Sequence, residues 1–240
     1  MLRRILDGVL AGILIGIGGS VFLACGNRYV GAVMFSVALL CIFYKGYALF
    51  TGRVGFLPEN HTKGAWEVLM LALLGNTLGA GAVGIVVRYA IPASGEAAEF
   101  LCAGKLEGQN FLQTFLRAVL CGILMYLAVS IFRDKKTPLG ILFCIPTFIL
   151  AGFEHSIADI FYFSAAAEFA PRAWLYLLLV ILGNAIGGVL LPMLGAVGTG
   201  QRRLSKIRTR AEGEEESVAA SATPPTDEPT DGSGESGDPV

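Results

Sequence analysis

The chain has 240 residues, of which 54% are apolar and only 15% charged, with 31 glycines and a formal net charge of -1. That balance excludes an ordinary soluble domain and gives no reason to expect a nucleic-acid partner. The near-neutral total hides an asymmetry: nine of the 19 acidic residues fall in 211–240, which has no Lys or Arg, so residues 1–210 carry 18 basic against 10 acidic groups.

Apolar stretches cover residues 5–25, 29–50, 66–91, 111–132, 139–169 and 173–197. Each is near or above the roughly 20 residues that one bilayer crossing requires. Six spans is the natural count, with the fifth overlong. The first follows Arg3 and Arg4 and places Gly8, Gly12, Gly16 and Ser20 on one small face. It is longer than a signal-peptide core and suited to close packing, so it reads as a retained helix. The second contains Lys45 and runs into Leu49-Phe-Thr-Gly52. His61, in the polar loop 58–64 that follows, reads as solvated near a mouth of the protein.

The third span carries Gly75-Asn-Thr-Leu-Gly79 and is followed by a connection holding Lys105; the fourth contains Arg117. The fifth is interrupted by Ala151-Gly-Phe-Glu-His-Ser-Ile-Ala-Asp159. Ionisable groups at bilayer depth are costly unless they face protein or water, which makes Glu154, His155 and Asp159 a functional-site hypothesis by default. The sixth span carries Gly183-Asn-Ala-Ile-Gly187. The aromatic runs Phe161-Tyr-Phe163 and Trp174-Leu-Tyr176 read as interfacial anchors or subunit contacts. Residues 1–200 thus form the transmembrane domain, 201–210 a basic juxtamembrane segment, and 211–240 an acidic tail too poor in apolar residues to fold. The five cysteines contain no C-x-x-C pair and read as reduced packing residues. No metal site or cofactor is indicated.

Alternating six spans puts twelve basic residues, from Arg3 and Arg4 to Arg208 and Arg210, on one side and Arg28, Arg88, Lys105 and Arg172 on the other. The positive-inside rule then places both termini in the cytoplasm, in a multi-pass protein of the cytoplasmic (inner) membrane. Gly75-Asn76-x-x-Gly79 and Gly183-Asn184-x-x-Gly187 answer each other, each after a broken span. With three spans per half the repeats are inverted, and matched breaks in inverted repeats point to a substrate site near the midplane.

These residues together resemble the formate/nitrite transporter family, whose fifth-span signature is close to A-G-F-E-H-S-I-A-N and whose second span breaks at L-F-T. The resemblance covers about residues 5–200. It implies an all-α membrane protein: six transmembrane helices as two inverted three-helix repeats, an aquaporin-like protomer with broken second and fifth helices, five protomers assembling with one pore each. It also implies Leu49 and Phe50 at a cytoplasmic constriction, Phe35, Leu39 and Phe148 at an outer one, His155 facing Thr51 in the pore, and Lys105 as a vestibule lysine. Departures from the family pattern are Ala48 for the usual acidic residue, Gly122 for the fourth-span asparagine, Asp159 for the final Asn, and Lys45.

A small carboxylate cannot cross apolar rings as a bare ion, because desolvating an unpaired charge costs many kcal/mol; it can cross after gaining a proton. The expected cargo is a small monovalent anion, formate first, with nitrite or hydrosulfide next. Lys105 is expected to draw the anion in. His155 either hands over a proton or, neutral, donates a hydrogen bond. Glu154 is expected to fix the broken helix ends by accepting backbone N–H bonds or to transfer protons; Asp159 to pair with His155 one turn away or to sit at a helix contact. Lys45 is either a pore-lining charge or a snorkelling lysine. Two other classes remain: a membrane enzyme using Glu154, His155 and Asp159, for which the metal-ligand set is poor and no phosphate loop or nucleophile motif exists, and a neutral-solute channel, for which aquaporin N-P-A boxes are missing.

Overall fold

The computed structural model describes residues 1–60 and 62–221, with side chains through residue 197. His61 and residues 222–240 lie outside the described residues. Unit Met1–Gly195 is compact by itself. In the segment that follows, the helix backbone continues to Ser221.

Helices α1 (Leu2–Ala24), α2 (Arg28–Lys45), α4 (Lys63–Ala90), α6 (Phe111–Lys135) and α9 (Pro171–Ser221, of which residues 171–197 are strongly apolar) are long and apolar enough to cross a bilayer. A sixth crossing is the bent pair α7 (Leu139–Ala151) and α8 (Ser156–Ala165), whose axes differ by 55°. The overlong fifth stretch is therefore one span broken in the middle. The short α3 (Phe50–Arg53), extended by a 3₁₀ turn over Val54–Phe56, is its counterpart after α2.

The sequence punctuates these helices legibly. Asn27 caps α2 by accepting from Tyr29 and Val30 N–H, Thr62 caps α4, and Asn110 with Gln113 forms a reciprocal capping box on α6. Gly46 and Gly152 close α2 and α7 in the left-handed conformation, with φ of 73° and 72°. Only glycine enters that region without strain, which fixes where each span breaks.

The small face of α1 meets α4 directly. A Cβ on Gly12 would stand 2.8 Å from Ala80 N, and one on Gly75 would stand 2.8 Å from Gly8 Cα, so the two backbones touch. The second repeat copies this crossing between α6 and α9, where a Cβ on Gly122 would stand 2.8 Å from Gly188 N. Close backbone approach of this kind replaces the hydrophobic drive that helices lack in lipid.

Two sequence expectations are corrected. Phe161-Tyr-Phe163 is not an interfacial anchor: α8 is buried on every side, with Phe161 packed against Gly19. Of the second aromatic run, Trp174 is exposed but Tyr176 is buried. In addition, the connection after α4 forms a helix, α5 (Pro92–Gly108), which begins with proline at its first turn and buries Ser94, Ala98 and Cys102 on a four-residue repeat. Burial pushes the Cys102 thiol up to about 12, so it stays a protonated packing group.

Candidate functional site

Two cavities open at opposite ends of α2. One, about 460 Å³, contains Arg28 from the start of that helix together with Phe35, Lys105, Arg117, Phe148, Glu154, His155 and Asp159. The other, about 590 Å³, contains Phe43 and Gly46 from its end together with Arg4, Arg53 and Arg133. An 18-residue helix is about 27 Å long, so the two cavities are vestibules on opposite sides of the molecule. Leu39, Leu49, Phe50 and Thr51 are buried and line neither vestibule.

The centre is built by two asparagines. Asn76 Oδ1 accepts from Phe50 N–H at 2.8 Å, while its Nδ2 donates to Gly8 O at 2.9 Å and Ala48 O at 2.8 Å. Asn184 repeats the pattern: Oδ1 accepts from Ser156 N–H at 2.8 Å, and Nδ2 donates to Ala118 O at 2.9 Å and Glu154 O at 2.8 Å. Each fully buried amide thus clamps the last extended residues of one break, the first N–H of the helix after it, and a neighbouring helix. Backbone groups freed where a span breaks must be satisfied inside the protein, and these amides do that.

This geometry corrects the register of the first break. The break is 46–49, with Phe50 and Thr51 already helical, and its equivalent in the second half is 152–155. Leu49 is therefore the repeat counterpart of His155, and Arg53 that of Asp159. Gly75, Gly79, Gly183 and Gly187 lie at close helix contacts, as their spacing suggests; Asn76 and Asn184 instead hold the breaks.

His155 caps α8. Its Nδ1 accepts from Ala158 N–H at 3.2 Å and its Nε2 lies 2.9 Å from Thr51 Oγ1. A backbone N–H is always a donor, so a neutral imidazole carries its hydrogen on Nε2 and donates it to Thr51. Phe148 stacks on the ring with centroids 5.5 Å apart and planes 10° apart.

The carboxylates have other partners than those expected. Glu154 accepts from Lys105 through Oε2 and from Gln109 Nε2 at 2.8 Å through Oε1, and among the described residues no backbone N–H donates to its side chain. Asp159 does not pair with His155; its Oδ1 lies 3.0 Å from Lys105 Nζ. His155 sits before the helix start and turns its ring toward Thr51, whereas Asp159 faces α5. Lys45 is exposed and lines neither vestibule.

Arg28, Gln109, Arg53 and Arg117 were not legible as site residues. Arg28 Nη2 donates to Ile149 O at 3.2 Å and Leu150 O at 3.3 Å, covering the last carbonyls of α7, and Arg53 Nη2 donates to Gly46 O at 3.4 Å at the end of α2. The signal available in the sequence was a basic residue just after the first break, Arg53.

The formate/nitrite transporter family model matches residues 1–197. The nitrite transporter NirC of Salmonella typhimurium is 27% identical over 217 residues, covering 79% of this chain and 80% of that protein. A formate-nitrite transporter of Plasmodium ovale is 29% identical over 226 residues, covering 78% of this chain and 72% of the relative. Among solved structures, a pentameric formate channel with formate bound superimposes with a TM-score of 0.67 at 25% identity, over 82% of this chain and 96% of that one. The broken spans, the paired asparagine clamps and a family match through nearly the whole apolar domain agree: this multi-pass membrane protein belongs to the formate/nitrite transporter family.

Proposed function

We propose that the protein passes small monovalent anions, formate foremost and nitrite next, through a pore in each protomer, and that the anion crosses the centre as the neutral acid. The observation that carries this reading is the buried Thr51–His155 pair between two vestibules, flanked by Phe35, Leu39, Leu49, Phe50 and Phe148. An unpaired charge among those side chains would lose its hydration with nothing to replace it. A protonated carboxylic acid loses far less and can exchange hydrogen bonds with Thr51 and with the Nε2–H of His155. The proton is a solvated one taken up in the vestibule, where the anion is still partly hydrated, so one anion and one proton enter together. His155 acts as a neutral donor: protonating Nδ1 would set its N–H against that of Ala158. Direct proton donation by an imidazolium is therefore the weaker of the two roles.

The chemistry calls for no catalytic residue, metal or cofactor, and the relatives that match are transporters. The Lys105 vestibule is the outer mouth, both termini lie in the cytoplasm, and the membrane is the cytoplasmic (inner) one. The assembly is a homopentamer, which the pentameric formate channel supports.

The test is uptake of labelled formate by proteoliposomes, with nitrite, hydrosulfide, acetate and lactate as competitors. Influx at fixed total formate rises as external pH falls from 7.5 to 5.5, because the transported species carries a proton, and nitrite competes. Absence of flux for every anion tried sinks the reading.

A further inference from the structure

Lys105 is not an open cation. Its ammonium contacts Glu154 and Asp159 together, and the three side chains are all largely buried, the lysine 12% exposed and each carboxylate 2%. With both carboxylates ionised the three groups sum to a single negative charge; with one proton shared between them they sum to zero. In neither state does the ammonium offer unbalanced charge to an entering anion. Two of its three N–H groups can thus be spent on carboxylates, and Gln109 also donates to Glu154.

The same vestibule holds two other cations. Arg28 spends Nη2 on the carbonyls that end α7. Arg117, near the start of α6, is half-buried and lines the cavity, and among the described residues it has no hydrogen bond or ion pair. Its Nη1 approaches Gly152, 3.8 Å from where a Cβ would stand, so the left-handed glycine that ends α7 leaves the guanidinium bare on that side.

We infer that Arg117 is the residue that recognises the anion in the Lys105 vestibule, and that Asp159 has withdrawn Lys105 from that task. This rests on the anion-transport reading and deepens it. A guanidinium presents two parallel N–H groups, the fork that matches two oxygens on one central atom. Formate and nitrite both have that shape. Hydrosulfide has a single acceptor atom and gains only the charge. Arg117 therefore selects planar two-oxygen anions over spherical ones of the same charge.

Initial uptake rates in proteoliposomes test this, with labelled formate as substrate and nitrite or hydrosulfide as competitor, on pentamers checked by gel filtration. Arg117→Gln raises the KM for formate about tenfold, the loss of one charge-assisted pair at a half-exposed site, while the maximal rate stays within about twofold. It also removes the preference for nitrite over hydrosulfide. Arg117→Lys keeps the charge and loses the fork, so formate KM recovers in part while the preference does not. Adding Asp159→Asn to Arg117→Gln lowers the KM again, because the Lys105–Glu154 pair that remains sums to zero, whereas the cluster with both carboxylates ionised carries one negative charge that repels the anion. Wild-type KM and wild-type preference in Arg117→Gln overturn the proposal. If that variant does not assemble, an unchanged preference in Arg117→Lys overturns it equally. Wild-type protein that moves no anion defeats the transport reading instead, so the two failures are distinguishable.

Discussion

His155 carries the central chemistry through which of its nitrogens donates. Ala158 N–H fixes Nδ1 as an acceptor, which leaves Nε2–H to meet Thr51. Thr51 in turn is free to point its own hydroxyl hydrogen at a passing acid. Thr51→Val is nearly isosteric and leaves Nε2–H buried without a partner, a cost of about 1–3 kcal/mol. We expect it to lower formate flux several-fold, and His155→Phe to lower it by at least tenfold, in labelled-formate uptake by assembled protein. Unchanged flux in His155→Phe from pH 5 to 8 would remove the histidine from the path. At this scale the sequence was readable where a residue type was out of place, as with an imidazole inside an apolar run. It was not readable where a role depends on partner choice. Asp159 is four residues from His155, yet its charge partner comes from α5, 54 positions earlier in the chain. Periodicity speaks about neighbours on one helix; it says nothing about which helix packs opposite.

The breaks are elements in their own right, and the two asparagines decide whether they exist. Removing the Asn184 amide leaves Ser156 N–H and Glu154 O buried without their partner and takes from Ala118 O, a carbonyl inside α6, its second donor. Partial relaxation offsets some of that loss, and Asn184→Leu should cost about 3 kcal/mol or more. For a chain of this size that lowers the melting temperature by about 10 °C. Asn76→Leu strips Phe50 N–H and Ala48 O in the same way, takes the second donor from Gly8 O inside α1, and should cost a similar amount. Thermal unfolding in detergent measures both; two variants as stable as wild type would mean that water or relaxation satisfies the breaks. The Gly-Asn-x-x-Gly repeat was legible because close helix packing restricts those positions to small residues. The register of the first break was not, because Leu49-Phe-Thr reads as an interruption although Gly46 ends the helix one turn earlier. Helix α5 escaped for a different reason: its buried stripe of Ser94, Ala98 and Cys102 is made of small residues, and its mean hydropathy is too low for a span.

Seen as a whole, the molecule wears its apolar residues outward. Leu74, Leu78 and Ile85 on α4, and Leu178, Leu182 and Ile186 on α9, are each about half exposed in the single protomer. Lipid and neighbouring subunits can cover such faces, whereas water cannot. Such faces look the same from either side of the bilayer, so they carry no direction. Direction follows from charge: Arg4, Arg53 and Arg133 share one vestibule, with Lys63, Lys135 and Lys136 on the same side of the span count, while Arg28 and Lys105 line the other vestibule, with Arg88 and Arg172 on its side of the span count. Translocating the first set across the bilayer is disfavoured, so the Arg53 vestibule should face the cytoplasm. Glu59 and Glu107 are exposed on opposite sides and suit a direct test. The exposed ion pair of Glu59 with Arg133, 3.6 Å apart, contributes less than about 1 kcal/mol, so its loss is tolerated. In a background with the five native cysteines replaced, Glu107→Cys should react with a membrane-impermeant maleimide added to intact cells. Glu59→Cys should react only after the cells are opened. The opposite labelling would invert the protein, making the Lys105 vestibule, with its carboxylate-bound lysine and unpartnered Arg117, the entrance from the cytoplasm.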